Sequence, residues 1–252
     1  MCQNGAARED RRRIDLAVSA ATRLSRTPVM TRTISDATLQ LGMILGTVRR
    51  SPKRRAEAIP RAVVLVEGVS DQLAVETLAR RRGHDLVAEG VSVMPMGGSK
   101  NITSFLDRFG PGGLNVTLAG LCDEAEEADF RRGLERAGLR VGLTRADLEA
   151  LGFYVCVADL EDELIRALGT PAVLRIIEEQ DELGPLRTFQ QQPFQRERTI
   201  EQQLRRFMGT RGGRKVQYAT LLVDALDPGR VPRPLDGVLA HVIQSTGGAG
   251  RT

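Results

Sequence analysis

RAVVLVEGVSDQLAVETLARRRG, residues 61–83, runs five apolar residues into Glu67 and then places Gly68, Ser70 and Asp71 ahead of an amphipathic segment. A continuous apolar run of that length, rich in valine, suits a strand covered on both faces, the habit of parallel sheets. The segment after it carries apolar residues at helical spacing, so the stretch opens as a strand followed by a helix. An acid ends the strand, and a second acid stands four residues later.

The same alternation continues outward. Strands are expected at 62–66, 91–96, 115–122 and 153–158, with helices at 71–82, 101–109, 125–137 and 145–151, the last opened by Thr144. Short buried strands separated by helices are the signature of repeated βαβ units, hence an α/β fold: a mainly parallel four-stranded sheet with helices on both faces. Beyond Leu160 the spacing turns helical, with short helices expected at 161–168, 171–182, 197–208, 214–226 and 235–244 and a glutamine-rich loop at FQQQPFQRE. Ahead of the sheet, 14–25 and 34–48 have helical spacing, and RRSPKRRAEAIPR, bounded by Pro52 and Pro60, reads as a charged linker. The expected organisation is a basic helical segment and linker over 1–58, an α/β core over 59–169 and a helical C-terminal extension over 170–252. No internal repeat is visible.

The 252 residues, 41% of them hydrophobic, suffice for a sizeable core. No apolar run reaches the roughly 18 residues of a membrane span, and no signal-peptide pattern opens the chain, so a cytoplasmic location is expected. Cys2, Cys122 and Cys156 are too few and too scattered for a disulfide framework; Cys122 and Cys156 lie in apolar runs and read as core residues. The net charge of +4 is uneven: residues 1–60 hold 12 Arg and Lys against 5 Asp and Glu. Clusters such as REDRRR and RRSPKRR favour phosphate backbones without reading bases, and equally suit a solvated helical face and linker.

The acids acquire meaning from the sheet. In parallel α/β sheets ligands bind outside the carboxyl ends of the strands. Glu67 ends the first strand, Asp71 opens the next helix, Asp123 ends the third strand in LAGLCDEAE, and Glu161 lies just past the fourth in VADLEDEL. Singly, each acid fits a helix start, where carboxylates cap and complement the dipole. Together, like charges on one edge call for a divalent cation, and oxygen ligands alone suit Mg²⁺ or Mn²⁺. The two histidines, His84 and His241, have no other ligand type nearby, which disfavours zinc.

VEGVSD, the MGGSKNI turn, LCDEAE and ADLEDEL, in this order, resemble the TOPRIM domain, and within it the subgroup found in OLD-family (overcoming lysogenization defect) nucleases; the resemblance covers about residues 61–226. It implies a Rossmann-like TOPRIM fold in which Glu67 and Asp71 hold one cation, Asp123 bridges and Glu161 serves a second. The family's Asp-x-Asp motif would place its second acid at Ala125; here Glu126 or Glu124 must stand in. OLD nucleases also place a lysine on a late helix near the metals, and GTRGGRKVQYATLLVDAL offers Lys215, one of only three lysines, with Lys53 and Lys100, among 33 arginines. By itself a lysine at a helix start is an ordinary surface residue. The resemblance implies two-metal phosphodiester hydrolysis of nucleic acid, DNA in preference to RNA, with Lys215, Glu67 and Asp123 as catalytic residues. The full OLD proteins carry an ATPase ahead of TOPRIM. No G-x-x-x-x-G-K-[ST] occurs here, so a free-standing TOPRIM protein is expected, with any ATP coupling supplied by a separate partner and a homodimer left open. The competing readings are a non-catalytic nucleic-acid-binding or partner-docking module with a structural cation, and a nucleotidyl transferase. A dinucleotide-binding enzyme is disfavoured because EGVSD puts negative charge where a pyrophosphate would sit.

Overall fold

The structure, a computed structural model, describes residues 59–247. The helices expected at 14–25 and 34–48 and the basic clusters before residue 58 lie outside the described residues. Four strands, β1 (Ala62–Val66), β2 (Val91–Pro95), β3 (Thr117–Asp123) and β4 (Phe153–Cys156), form one sheet in the order β2-β1-β3-β4. Every neighbouring pair is parallel.

β1 lies at the centre because it can be buried on both sides: all five of its side chains are fully enclosed. Alternate residues serve different faces, as the two-residue period of a strand requires. Val63 and Leu65 enter a core built with α2 (Ile102–Phe109), α3 (Glu127–Arg136) and α4 (Arg145–Ala150). Ala62, Val64 and Val66 enter the opposite one with α1 (Val69–Arg81). That second core runs on without a break through α5 (Leu160–Leu168), α6 (Thr170–Glu179), α7 (Leu183–Gln190), α8 (Ile200–Met208), α9 (Arg214–Asp224) and α10 (Arg233–Gly247). Enclosing a side chain such as Leu65 contributes roughly 1.5–3 kcal/mol, so this strand alone accounts for a large share of the sheet's anchoring. Cys122 and Cys156 are buried free thiols in the two cores, as their apolar neighbours imply.

Two glycines mark where backbones must come close. A Cβ on Gly120 of β3 would stand 2.6 Å from the Phe153 ring, and one on Gly237 of α10 would stand 2.3 Å from the Tyr154 ring. The second contact lets α10 lie directly across β4.

Several boundaries differ from expectation. α1 begins two residues early because Gly68 is its N-cap and Asp71 sits at the third helical position, where its Oδ2 accepts from Gly68 N at 3.0 Å. β3 starts only at Thr117, after Asn115 takes φ 50°, and it runs through Asp123. β4 stops at Cys156: Val157 N donates to Glu163 Oε1 at 2.8 Å and Ala158 turns to φ 64°, so the ladder cannot continue. α7 occupies a stretch where no helix is expected and which contains Gly184 and Pro185. Both fall in its first turn, where a missing N–H costs nothing. Among the described residues no helix is long and apolar enough to cross a membrane.

Candidate metal centre

The chain leaves β1 to form β2 on one side and later crosses back to form β3 on the other. The sheet's switch point therefore lies between the carboxyl ends of β1 and β3, the place where open α/β sheets hold ligands. Glu67 follows the last residue of β1, and β3 runs two residues past the level of Val66, which pairs with Leu121, before ending on Asp123. Both acids are delivered there by strand length alone.

Two turns complete the group. After β2 the backbone at Gly97 and Gly98 adopts φ 71° and 122°, a region open to glycine, and both N–H groups donate to Glu67 O at 2.9 and 3.3 Å. This fixes the peptide that carries the Glu67 side chain. After β3 a 3₁₀ turn, Glu124–Glu126, folds Glu126 back over the strand end. Carboxylate oxygens of Glu67, Asp123 and Glu126 then lie within 4.8 Å of one another. Ala125 is exposed in the turn, and Glu124 points to Arg145 at 3.3 Å, so Glu126 is the acid brought into the group.

The remaining residues form a second, adjoining group. Lys215 Nζ stands 3.1 Å from Glu161 Oε2. Asp71 is buried, partly committed to capping α1, and within electrostatic reach of Glu67, Asp159 and Lys215. Asp159, absent from the residues expected from sequence, is the N-cap of α5: its Oδ1 accepts from Asp162 N at 2.9 Å while Oδ2 pairs with Arg205. It acts strongly on Asp123. The left-handed Ala158 just before it is an uncommon conformation for a residue with a Cβ, costing about 1–2 kcal/mol, and it aims the cap. Arg214 holds the start of α9 in place. It donates to Glu182 Oε1 at 2.8 and 3.1 Å and to Phe207 O at 3.1 Å, and stacks 4.1 Å over the Phe207 ring. Lys100 is exposed in the turn that also carries Ser99, whose hydroxyl donates to Asp129 at 2.8 Å, and it pairs with no acid of the group among the described residues.

Crowding shows in the acidities. Burial, then the charges of Asp159, Asp71 and Glu67, push Asp123 up to about 8. Burial and Glu67 raise Glu126 to about 7, and burial raises Glu161 to about 7 against the opposing pull of Lys215. Asp71 is raised by burial despite the Gly68 hydrogen bond. Burial alone would lower Lys215, but Glu161 and Asp71 outweigh it and hold the ammonium well above the usual lysine range. Glu126 Oε2 is buried with no hydrogen-bond partner among the described residues. An oxygen-only set with an orphaned carboxylate oxygen fits a hard divalent ion.

Residues 60–124, which contain β1 to β3 with Glu67, Asp71 and Asp123, match the family model described as overcoming lysogenization defect protein-like, TOPRIM domain. Among solved structures, the C-terminal region of the OLD protein of Xanthomonas campestris pv. campestris is similar at 24% identity, with a TM-score of 0.61, over 75% of this chain and 95% of that one. A second structure of that region gives 25% identity and a TM-score of 0.60 over 77% and 98%. The C-terminal region of the Burkholderia pseudomallei OLD protein gives 21% and 0.59 over 75% and 100%. A comparison with curated protein sequences found no match. The sheet and its helices share the fold of those C-terminal regions, and the family match itself rests on residues 60–124.

Proposed function

We propose that this chain, whose residues 60–124 carry the OLD-like TOPRIM match, hydrolyses phosphodiester bonds of nucleic acid, DNA in preference to RNA, with Mg²⁺ or Mn²⁺ held by Glu67, Asp123 and Glu126. The observation that carries the reading is the convergence of those three carboxylates within 4.8 Å at the switch point, with an orphaned oxygen and raised acidities. A cation there supplies positive charge opposite phosphate oxygens and makes water acidic enough to attack at neutral pH.

The chain's own residues do the rest. Glu67, anchored through its backbone by the Gly97–Gly98 turn, and Asp123, fixed at the end of a paired strand, give the ligand set its rigidity. Asp71 and Glu161 surround Lys215 with negative charge, which keeps its ammonium protonated and aimed at the edge of the acidic group. A compact ammonium so held can stabilise charge on a departing oxygen. Lys215 and a second cation compete for Glu161, so a second metal would require this pair to open. Asp159, paired with Arg205, adds negative charge beside Asp123.

The test is incubation of the purified full chain with supercoiled plasmid in Mg²⁺, Mn²⁺ or EDTA. Nicked or linear product with either metal and none in EDTA is expected. Wild-type protein that cuts no DNA or RNA with either metal overturns hydrolysis and leaves the binding-module reading.

A further inference from the structure

Beside the carboxylates, a cavity of about 300 Å³ opens between the start of α5, α8 and the start of α9. Arg198, Arg205, Arg206 and Lys215 line it together with Asp159 and Glu161. Four cations face two carboxylates, and both carboxylates are taken: Asp159 by Arg205 and Glu161 by Lys215. Arg198 and Arg206 have no ion-pair partner among the described residues. The Nε of Arg198 is moreover buried with no hydrogen-bond partner. A guanidinium nitrogen sealed from water and left unsatisfied costs free energy unless an anion completes it, and guanidinium groups match phosphate oxygens in planar pairs. No aromatic side chain lines the cavity among the described residues, so it offers phosphate contacts and no platform for stacking a base.

The cavity shares Glu161 and Lys215 with the candidate metal centre, so its occupant must lie next to whatever reacts there. We propose that Arg198 and Arg206 bind the phosphate adjacent to the one being cleaved, making this pocket a sequence-blind register for the substrate strand. This rests on the proposed function and adds the substrate contact to it. The shared chemistry is a phosphate, either an internal diester or the terminal phosphate of a strand end.

Binding of single-stranded oligonucleotides to the full chain, followed by fluorescence anisotropy over a salt series with divalent cations chelated, tests it without any cleavage. Arg206 is exposed on α8, so R206E leaves the fold intact; R198A is the second variant. R198A should weaken binding about tenfold and reduce the slope of log K against log salt by about 0.7, the change expected from one lost phosphate contact on a single strand, and R206E, which reverses the charge, should exceed both effects. R206K should keep most of the affinity, since the charge survives. If a 5′- or 3′-phosphate strengthens binding to wild type and not to R206E, the ligand is a strand end; equal binding of phosphorylated and hydroxyl-ended strands assigns an internal diester. Wild-type salt slopes in both variants, with wild-type cleavage intact, overturn the pocket alone. A wild type that binds no nucleic acid either in chelator or with Mn²⁺ present overturns the pocket and the proposed function together.

Discussion

Replacing Asp123 by asparagine should leave the protein folded and lower metal-dependent nicking of plasmid by on the order of 10³-fold, the upper range for losing one preorganised electrostatic group. Asn keeps the shape of the side chain, turns one acceptor oxygen into a donor and removes the charge that the cation needs. The folded state should not suffer. Asp123 is raised from the usual carboxylate value near 4 to about 8, so without metal its ionisation opposes folding. The unfolded chain releases this proton first, and stability of metal-free wild type therefore falls as pH rises from about 4 through about 8. The D123N protein has no such proton to lose, and its melting temperature should decline less over that window. Loss of cutting with retained or improved thermal stability separates a ligand from a packing residue; a variant that nicks like wild type removes Asp123 from the site.

Lys215→Ala should cut about 10²-fold more slowly while binding DNA and Mn²⁺ nearly as wild type does. An ammonium that faces charge developing in the transition state affects turnover more than affinity. Loss of the ammonium also leaves Glu161 buried without its partner, 3.1 Å away in the wild type, and its carboxyl should then hold a proton to higher pH. Lys215→Arg should restore little, because a planar fork cannot occupy the place of a compact charge among Glu161, Asp71 and Asp123. If Lys215→Ala nicks at the wild-type rate while D123N is inactive, the carboxylates work without this lysine.

Much of the sheet could be read from the chain because β1 needs no context: five enclosed residues in a row followed by an acid admit few alternatives. Glu67 and Asp123 were legible for the same reason, since each ends a strand. The pairing among acids was not. Sequence order puts Glu67 with Asp71, four residues apart, whereas the helix turns Asp71 back to cap Gly68 and the strand order sets Glu67 beside Asp123. Glu126 enters through a 3₁₀ turn that shifts the second acid one position from the expected Ala125. Asp159 carries no signal in the sequence because the apolar run continues to Ala158; a left-handed residue ends the strand earlier and makes Asp159 the cap of the next helix. α7 was hidden by Gly184 and Pro185, breakers that are harmless in a first turn. Lys215's approach to Glu161 depends on Arg214, whose contacts to Glu182 and Phe207 span 32 and 7 residues and leave no local signature.

On the proposed function, the acids at the switch point gather a divalent cation. Calorimetric titration of Mn²⁺ into the full chain, at pH 6, 7 and 8 and in two buffers of different ionisation heat, reads this directly. Asp123 at about 8 and Glu126 at about 7 hold protons at neutral pH that the cation must displace. Binding should therefore release protons at pH 7, tighten as pH rises from 6 to 8, and vanish in Glu67→Gln. Absence of Mn²⁺ binding to the wild type at pH 8, or binding that Glu67→Gln leaves unchanged, would contradict it.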